Sequence, residues 1–253
     1  MSKDITPILE GWDYKPNEIS VRKIKGLDGK EKIQLRLDLG LIQIELDGRP
    51  DGKRPYGKES MLEHYLALIA EHRAKYGTDQ SFQLDSDDCL KLQQEAIQYY
   101  HRYLSLFHLG DYVRMARDTE RNLQVFDLAK TYAIDDRDKW AFEQYRPYVI
   151  MMNARAKGSI CLEKKDYPQA LREIDEGVAS IKRFYREYGQ TDLLENSVEI
   201  NFLKNWAKEL RENRPLTLKE KLKNQLEEAV RNEEYERAAQ LRDQIRTLPN
   251  TED

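Results

Sequence analysis

"GDYVRMA" at residues 110–116 and "KDYPQAL" at residues 165–171 share a pattern with "VRNEEYERAAQLRDQI" at residues 230–245. In each stretch a Tyr follows a turn-forming or acidic residue, and a small or flexible residue stands three positions further on. An acidic group in the first turn of a helix favours the helix dipole. The three stretches therefore predict the corners of helical hairpins, and hairpins stacked in series usually form interaction scaffolds.

The composition indicates a heavily solvated protein of mixed charge. The 253 residues include 42 Lys and Arg against 46 Asp and Glu, so the formal net charge is only -4. A surface that binds phosphates non-specifically normally needs a basic excess, which leaves only a local basic patch as a nucleic-acid site. The two Cys residues form no CxxC pair, which is typical of a reducing compartment. Because no signal peptide or run of about 18 apolar residues occurs, we expect a soluble, cytoplasmic protein without a membrane partner.

Residues 1–58 are predicted to form a small antiparallel sheet, with about three strands between residues 19 and 47. Apolar and polar residues alternate there, as on a half-buried strand. The apolar positions are Ile33, Leu35, Leu37 and Leu39, and then Ile42, Ile44 and Leu46. The tetrapeptide "LDGK" at residues 27–30 predicts a tight hairpin turn.

Helical periodicity replaces this alternation over residues 59–212. Ser60 and Glu63 form a capping-box pattern, and Gly77 is placed to end the first helix. Further helices are predicted at about residues 86–110, 112–133, 138–164, 167–188 and 191–212, with Pro147 marking a kink or break. After a linker at residues 212–217, two final helices follow at about 217–231 and 233–248.

The predicted fold class is therefore α+β and mostly helical. It combines a small N-terminal antiparallel sheet, a body of helical hairpins and a C-terminal two-helix hairpin at residues 216–249.

The second corner carries the residues of a known helical repeat. Gly158, Tyr167 and Ala170 resemble the small residue, the turn tyrosine and the close-packing alanine of tetratricopeptide-type repeats. Lys157, Cys161 and Ile174 depart from the pattern, and the tyrosines of the first two corners are 55 residues apart where a period of about 34 is expected. The resemblance implies a tetratricopeptide-like body with a long insertion, and an irregular helical bundle is the alternative.

The stretch "LKNQLEEAVRNEEYERAAQLRDQIRTL" at residues 222–248 gives a sharper match. Leu226, "EEAV" at 227–230, Glu234-Tyr235, Ala238-Ala239 and "LRDQI" at 241–245 resemble the UVR motif, named for the B and C subunits of the bacterial UV excinuclease. The resemblance implies an antiparallel helical hairpin that contacts proteins, between the two excinuclease subunits or within a homodimer. The motif also occurs in protease-linked ATPases and their adaptors. None of the excinuclease catalytic machinery accompanies it, so the resemblance implies a contact surface and no catalysis.

The apolar spacing of the same segment also predicts a hairpin. Its first helix carries a stripe at i, i+4 spacing, and its second helix carries a stripe at three- and four-residue spacing. The two stripes are Leu218, Leu222, Leu226 and Val230, and Ala238, Leu241, Ile245 and Leu248. A two-helix hairpin of this size buries too little apolar surface to be stable alone, so it must pack on the body, on a second copy or on a partner.

We predict that nine residues of this hairpin mediate protein contacts. They are Leu222, Leu226, Val230, Tyr235, Ala238, Leu241, Arg242, Ile245 and Leu248. Arg242 with Asp243 is either a partner contact or a solvated ion pair.

The stretch "GKRPYGKES" at residues 52–60 is spaced like a phosphate-binding loop but lacks its chemistry. Glu59 stands where that loop needs Ser or Thr to hold magnesium, and Pro55 and Tyr56 occupy positions whose amides must wrap phosphates. A structured turn leading into the Ser60 cap is favoured. The surrounding loop is nevertheless locally basic, and its candidate anion-binding residues are Arg49, Lys53, Arg54 and Lys58. The alternative is a plain connector whose Gly and Pro satisfy turn geometry.

No residues combine into a predicted catalytic, cofactor or metal site. His101 and His108 are seven residues apart and His64 and His72 eight, so their rings need not converge on one ion, and neither HExxH nor G-x-S-x-G occurs. The aromatic run "YYHRYLSLF" at residues 99–107 favours core packing over stacking on bases.

Two functional hypotheses follow. The first is a non-enzymatic adaptor that presents its last hairpin to an excinuclease subunit, a protease ATPase or a second copy of itself. The second is a DNA-repair accessory that contacts nucleic acid through the loop at residues 49–58. A hydrolytic enzyme is a third class, and no motif supports it.

Overall fold

A computed structural model of the chain describes residues 4–215 and 218–247. The chain divides into two compact units, Met1–Lys204 and Asn205–Asp253. The first unit opens with α1 (Thr6–Leu9), β1 (Val21–Lys25), β2 (Glu31–Leu37) and β3 (Gly40–Glu45). Its later helices are α2 (Met61–Tyr76), α3 (Ser86–His108), α4 (Tyr112–Tyr132), α5 (Asp136–Glu143), α6 (Arg146–Glu163) and α7 (Tyr167–Glu187). Helix α8 (Val198–Asn213) crosses the division, and the second unit continues with α9 (Leu218–Arg231) and α10 (Tyr235–Thr247). The predicted α+β, mostly helical class is confirmed.

The sheet is antiparallel in the order β1-β2-β3, as predicted. Ile33 in the central strand pairs with Lys23 on one side and Ile44 on the other, and Ile33, Leu35 and Ile44 are buried. The prediction that the buried face continues to Leu39 is wrong. Leu37 pairs with Gly40, so residues 38 and 39 form a two-residue hairpin loop and the Leu39 side chain is 91% exposed.

Helix starts follow their capping residues. The Ser60 hydroxyl accepts the N–H of Glu63 at 3.2 Å, and α2 ends at Gly77 in the left-handed conformation with φ 76°, both as predicted. A second cap was not predicted. The buried Glu95 carboxylate of α3 accepts the N–H of Met61 at 3.0 and 2.8 Å, so α3 also holds the start of α2.

Two predicted helices differ from the observed ones. Residues 138–164 form α5 and α6, with the break just before Arg146 and Pro147, which confirms the interruption predicted at Pro147. The prediction of one helix over residues 191–212 is wrong in its first part, where Thr191–Leu194 is a 3-10 turn. Helix α8 begins later because the Ser197 hydroxyl accepts the N–H of Ile200 at 3.2 Å and caps it there.

The Tyr-containing corners share one backbone geometry. The residue two positions before each Tyr has a left-handed φ: 72° at Gly110, 59° at Lys165 and 57° at Glu233. The N–H of the next residue donates to the carbonyl five residues earlier: Asp111 to Leu106 at 2.9 Å, Asp166 to Cys161 at 2.9 Å, and Glu234 to Ala229 at 2.8 Å. This is the Schellman ending of a helix, and each Tyr then begins the next helix. The residues three positions after the Tyr (Met115, Ala170 and Ala238) are buried.

Helices α6 and α7 approach closely in the body. A Cβ atom at Gly177 would lie 2.6 Å from the Cβ of Ala154, so α7 needs glycine at this position. Gly158 and Ala170, which carry the tetratricopeptide resemblance, are also buried at this helix pair. The tetratricopeptide-like character of the body stays a prediction.

Candidate protein-interaction site

The C-terminal hairpin is formed by α9 and α10, which meet at the Glu233 corner. Its inner seam contains the buried residues Ala229, Ala238 and Leu241, against which the partly buried Leu222 and Leu226 pack. Four of the nine predicted interaction residues therefore hold the two helices together: Leu222, Leu226, Ala238 and Leu241. Ala229 was not predicted, because the i, i+4 stripe of the first helix leads from Leu226 to Val230. The i, i+3 spacing from Leu226 to Ala229 is the signal that identifies it.

The other predicted residues that the structure describes lie outside this seam. Val230 and Tyr235, at the two sides of the turn, are 53% and 69% exposed. Ile245 is half-buried, and Leu248 lies outside the described residues. Arg242 is exposed and its Nε lies 3.6 Å from a carboxylate oxygen of Asp243, which fits the solvated ion pair that was one of the two predicted roles. Val230 and Tyr235 are thus the large apolar and aromatic side chains that the hairpin turn leaves open to contact.

Charge is unevenly distributed along the hairpin. The turn end, residues 227–237, carries five carboxylates and two arginines, whereas the open end, residues 219–223 and 242–246, carries five basic and two acidic residues. An ion pair joins Arg237 to Glu234 at 3.0 Å on the exposed turn end. Such exposed pairs contribute little stability. The hairpin therefore carries an acidic turn end and a basic open end.

A comparison with protein families identifies this segment. The family model described as the UvrB/uvrC motif matches residues 217–248. The chain carries a UVR motif. The match spans the hairpin and leaves the first unit without a family assignment. No curated protein and no solved structure matches the chain.

The predicted anion-binding loop lies in the first unit, away from the UVR motif in sequence. Its four cations are not equivalent. The largely buried Arg49 lies with its Nε 3.1 Å from Glu95 Oε2 and 3.3 Å from Asp51 Oδ1. Arg54 lies 3.8 Å from Glu59, and Lys53 and Lys58 are exposed. Arg49 is therefore engaged by carboxylates of its own chain.

The loop borders a hollow of about 310 Å³ with balanced charge. Four basic and four acidic residues line it: Lys30, Arg49, Lys53 and Arg54, and Asp28, Glu45, Asp47 and Glu59. Hydrogen bonds from Arg114, with Arg117 beside it, lower the pKa of Asp47 to about 2, so this carboxylate is charged at neutral pH. The lining of the hollow therefore has no excess of positive charge that would attract an anion.

The rest of the loop has turn geometry. Pro55–Gly57 is a 3-10 turn in which Tyr56 has a φ of 51°, and its ring stacks on His64 with centroids 4.1 Å apart. The segment then enters the Ser60 cap of α2 as predicted.

We also searched the described part of the chain for a metal site, a reactive thiol and a membrane-spanning helix. Within residues 4–215 and 218–247, no group of three His, Cys, Asp or Glu side chains is placed to hold a metal ion. Burial raises the pKa of the Cys89 thiol to about 12. A thiol with so high a pKa is a poor nucleophile at neutral pH. No helix of the described ranges is long and apolar enough to span a bilayer.

Proposed function

We propose that this protein is a non-enzymatic adaptor that presents its UVR hairpin to a partner protein. The UVR motif is a coarse indicator of a protein-interaction or DNA-repair-related role. The observation that supports the proposal is that the hairpin buries one set of apolar side chains between its helices and leaves another set exposed. Leu222, Leu226 and Leu241 pack inside the seam, so the contact surface is the exposed Val230, Tyr235 and the charged residues around them.

The partner is an excinuclease subunit, a protease ATPase or a second copy of the chain. Tyr is among the residues that contribute most to protein interfaces when a partner desolvates them, which makes Tyr235 the principal anchor. A partner whose basic surface meets the acidic turn end complements the hairpin. In an antiparallel pair of hairpins, the turn end of one copy faces the basic open end of the other.

The first test is affinity capture from nuclease-treated lysate with a V230A/Y235A variant. We expect partners seen with the full wild-type chain to be reduced at least tenfold, because both side chains are removed from the contact surface while the seam is unchanged. A V113A/Y76A variant, which trims an exposed Val and Tyr of the first unit, is the matched control and should retain the partners. A chain ending at Asn213 should lose them completely.

The outcome separates adaptor from structural roles. Identical partners for all four chains, with no oligomer that V230A/Y235A dissociates, would show that the hairpin serves folding alone and would contradict the proposal. Light scattering across a concentration series distinguishes self-association, because a dimer that V230A/Y235A dissociates identifies a second copy as the partner.

A further inference from the structure

A cavity of about 510 Å³ lies within the first unit among α3, α4, α5 and α6. Six aromatic rings line it: Tyr100, Tyr103, Phe126, Phe142, Tyr145 and Tyr148. Its rim is open to solvent at Ile97 and Tyr145, which are both about half exposed. Cavities of roughly 300 to 1,000 Å³ lined mainly by apolar and aromatic groups are typical small-molecule sites.

The lining excludes a charged ligand. Among the described residues around the cavity, the polar ones are the tyrosines, Gln93, His101 and Asn122, and none carries a fixed charge. Burial lowers the pKa of His101, so its ring is neutral at neutral pH. The guanidinium of Arg146 lies 5.8 Å from the Phe126 ring centroid, but its charge is already compensated by Glu143 at 2.6 Å and Asp127 at 2.9 Å. An uncharged ligand loses least on entering such a site.

The most deeply buried tyrosine of the lining has a hydroxyl without a protein partner among the described residues. Four tyrosines line the cavity, and within residues 4–215 and 218–247 none of their hydroxyls forms a hydrogen bond. Tyr103 is the most deeply buried of the four, at 1% exposed. Buried Tyr hydroxyls normally find a partner. Elsewhere in the same unit Tyr65 donates to Asp88 at 2.6 Å and Tyr132 donates to Asp79 at 3.0 Å. The Tyr103 hydroxyl, at the cavity wall, is therefore free to donate a hydrogen bond to a ligand.

Asn122 does not fill this role. Its amide nitrogen already donates to the carbonyl of Ala96 at 3.0 Å, and its oxygen accepts from Arg121 at 3.2 Å. The amide is therefore fixed, whereas the Tyr103 hydroxyl can donate to an incoming acceptor.

We propose that this cavity binds a small, uncharged aromatic molecule that carries a hydrogen-bond acceptor. The ligand ring packs among the tyrosine and phenylalanine rings, where aromatic pairs gain more than their buried area alone. The Tyr103 hydroxyl donates to the acceptor. This site is separate from the adaptor role of the UVR hairpin and does not depend on it.

The test uses the full chain and the uncharged naphthalene ketone prodan, followed by fluorescence titration. We expect saturable binding of one prodan per chain with a blue-shifted emission. A141W places an indole in the cavity wall and should weaken binding at least tenfold, whereas V113W, a bulky change at an exposed position, should not.

The role of the hydroxyl is tested with a matched pair of ligands. Y103F should weaken prodan binding about three- to tenfold but leave displacement by 2-ethylnaphthalene, which has no acceptor, unchanged. Y132F removes a hydroxyl outside the cavity and is the control. Y103F also keeps the proposal testable if A141W fails to fold. Absence of saturable prodan binding, binding insensitive to A141W in a folded chain, or equal effects of Y103F on both ligands would overturn the proposal.

Discussion

Arg102 and Asp118 form a bidentate ion pair between α3 and α4, with N–O distances of 2.6 and 2.9 Å. Both side chains are only 1% exposed. The remaining guanidinium nitrogen of Arg102 donates to the carbonyls of Glu45 at 3.1 Å and Gly48 at 2.7 Å. The pair therefore ties the end of the sheet region to two helices of the body.

Removing one member of this pair should be strongly destabilising. D118N leaves the Arg102 guanidinium buried without its counter-charge, and R102A leaves the Asp118 carboxylate buried without its main partner. We expect each to lower the free energy of unfolding by about 3 to 5 kcal/mol in urea denaturation.

The exposed pair Arg137–Asp135, 2.7 Å apart, supplies the comparison. R137A should cost far less stability than either substitution of the buried pair, because water screens the exposed one. Equal losses at the buried and the exposed pair would show that the Arg102 contact does not anchor the sheet region.

Local patterns predicted much of this fold. The three strands, the Ser60 and Gly77 helix ends and the three Tyr corners depend on residues within a few positions of one another, and the structure confirms them. The strict alternation of apolar and polar positions is not confirmed, because Gln34 is buried between Ile33 and Leu35. Leu39 was misplaced because alternation continues through a two-residue turn without any change of pattern. The same limitation hid Ala229, whose small side chain carries little hydropathy signal although it lies at the centre of the hairpin seam.

Local sequence patterns did not predict contacts between residues that are far apart in the sequence. Glu95 caps a helix that begins 34 residues earlier, and Arg102 reaches the carbonyl of Glu45 across 57 residues. The charge of Arg49 suggested an anion site, yet its role follows from Glu95, which no spacing rule connects to it. The aromatic run at residues 99–107 supplies buried core side chains, such as Tyr99 and Leu106, but also lines a cavity through Tyr100 and Tyr103.

Glycine should stabilise the second Tyr corner. Lys165 occupies a left-handed φ of 59°, which costs a residue with a Cβ about 1 to 2 kcal/mol, whereas Gly110 fills the same place in the first corner. Part of the gain is offset by the greater entropy that glycine loses on folding. We expect K165G to raise the free energy of unfolding by about 0.5 kcal/mol, measured by chemical denaturation.

The preceding residue provides the matched control for this substitution. Lys164 has an ordinary φ of -85°, so K164G gains nothing from the backbone and should be destabilising by about 0.5 to 1 kcal/mol. A loss of stability in K165G as large as that in K164G would contradict the backbone explanation.

Asp47 should make stability depend on acid pH. The hydrogen bond from Arg114, together with Arg117, lowers its pKa from 3.8 to about 2 in the folded chain. Its stabilisation is therefore complete above about pH 4 and is lost as the pH falls towards 2. Because the side chain is 59% exposed, we expect D47N to cost no more than about 1 kcal/mol at pH 6 and almost nothing at pH 2. In an R114Q background the pH-dependent difference should shrink, and a difference that stays constant from pH 6 to 2 would exclude the ion pair as its source.

Of the four basic residues in the loop at residues 49–58, only Arg49 should contribute strongly to stability. Arg49 shares the fully buried Glu95 with Arg121 and with the amides that begin α2. R49Q should therefore lower the free energy of unfolding by about 1 to 3 kcal/mol, because it removes a charged partner from a buried carboxylate. The triple variant K53Q/R54Q/K58Q should change it by less than about 0.5 kcal/mol, since these side chains are exposed.

The same triple variant tests the alternative nucleic-acid role of the loop. Three phosphate contacts would give a slope of about -2.7 in a plot of log K against log salt. Because four carboxylates share the hollow with the loop cations, we expect duplex DNA to bind wild type and the triple variant equally weakly, with no such slope. Salt-dependent DNA binding that disappears in the triple variant but survives in V230A/Y235A would instead place a nucleic-acid contact at this loop and make the DNA-repair accessory the better account of the chain.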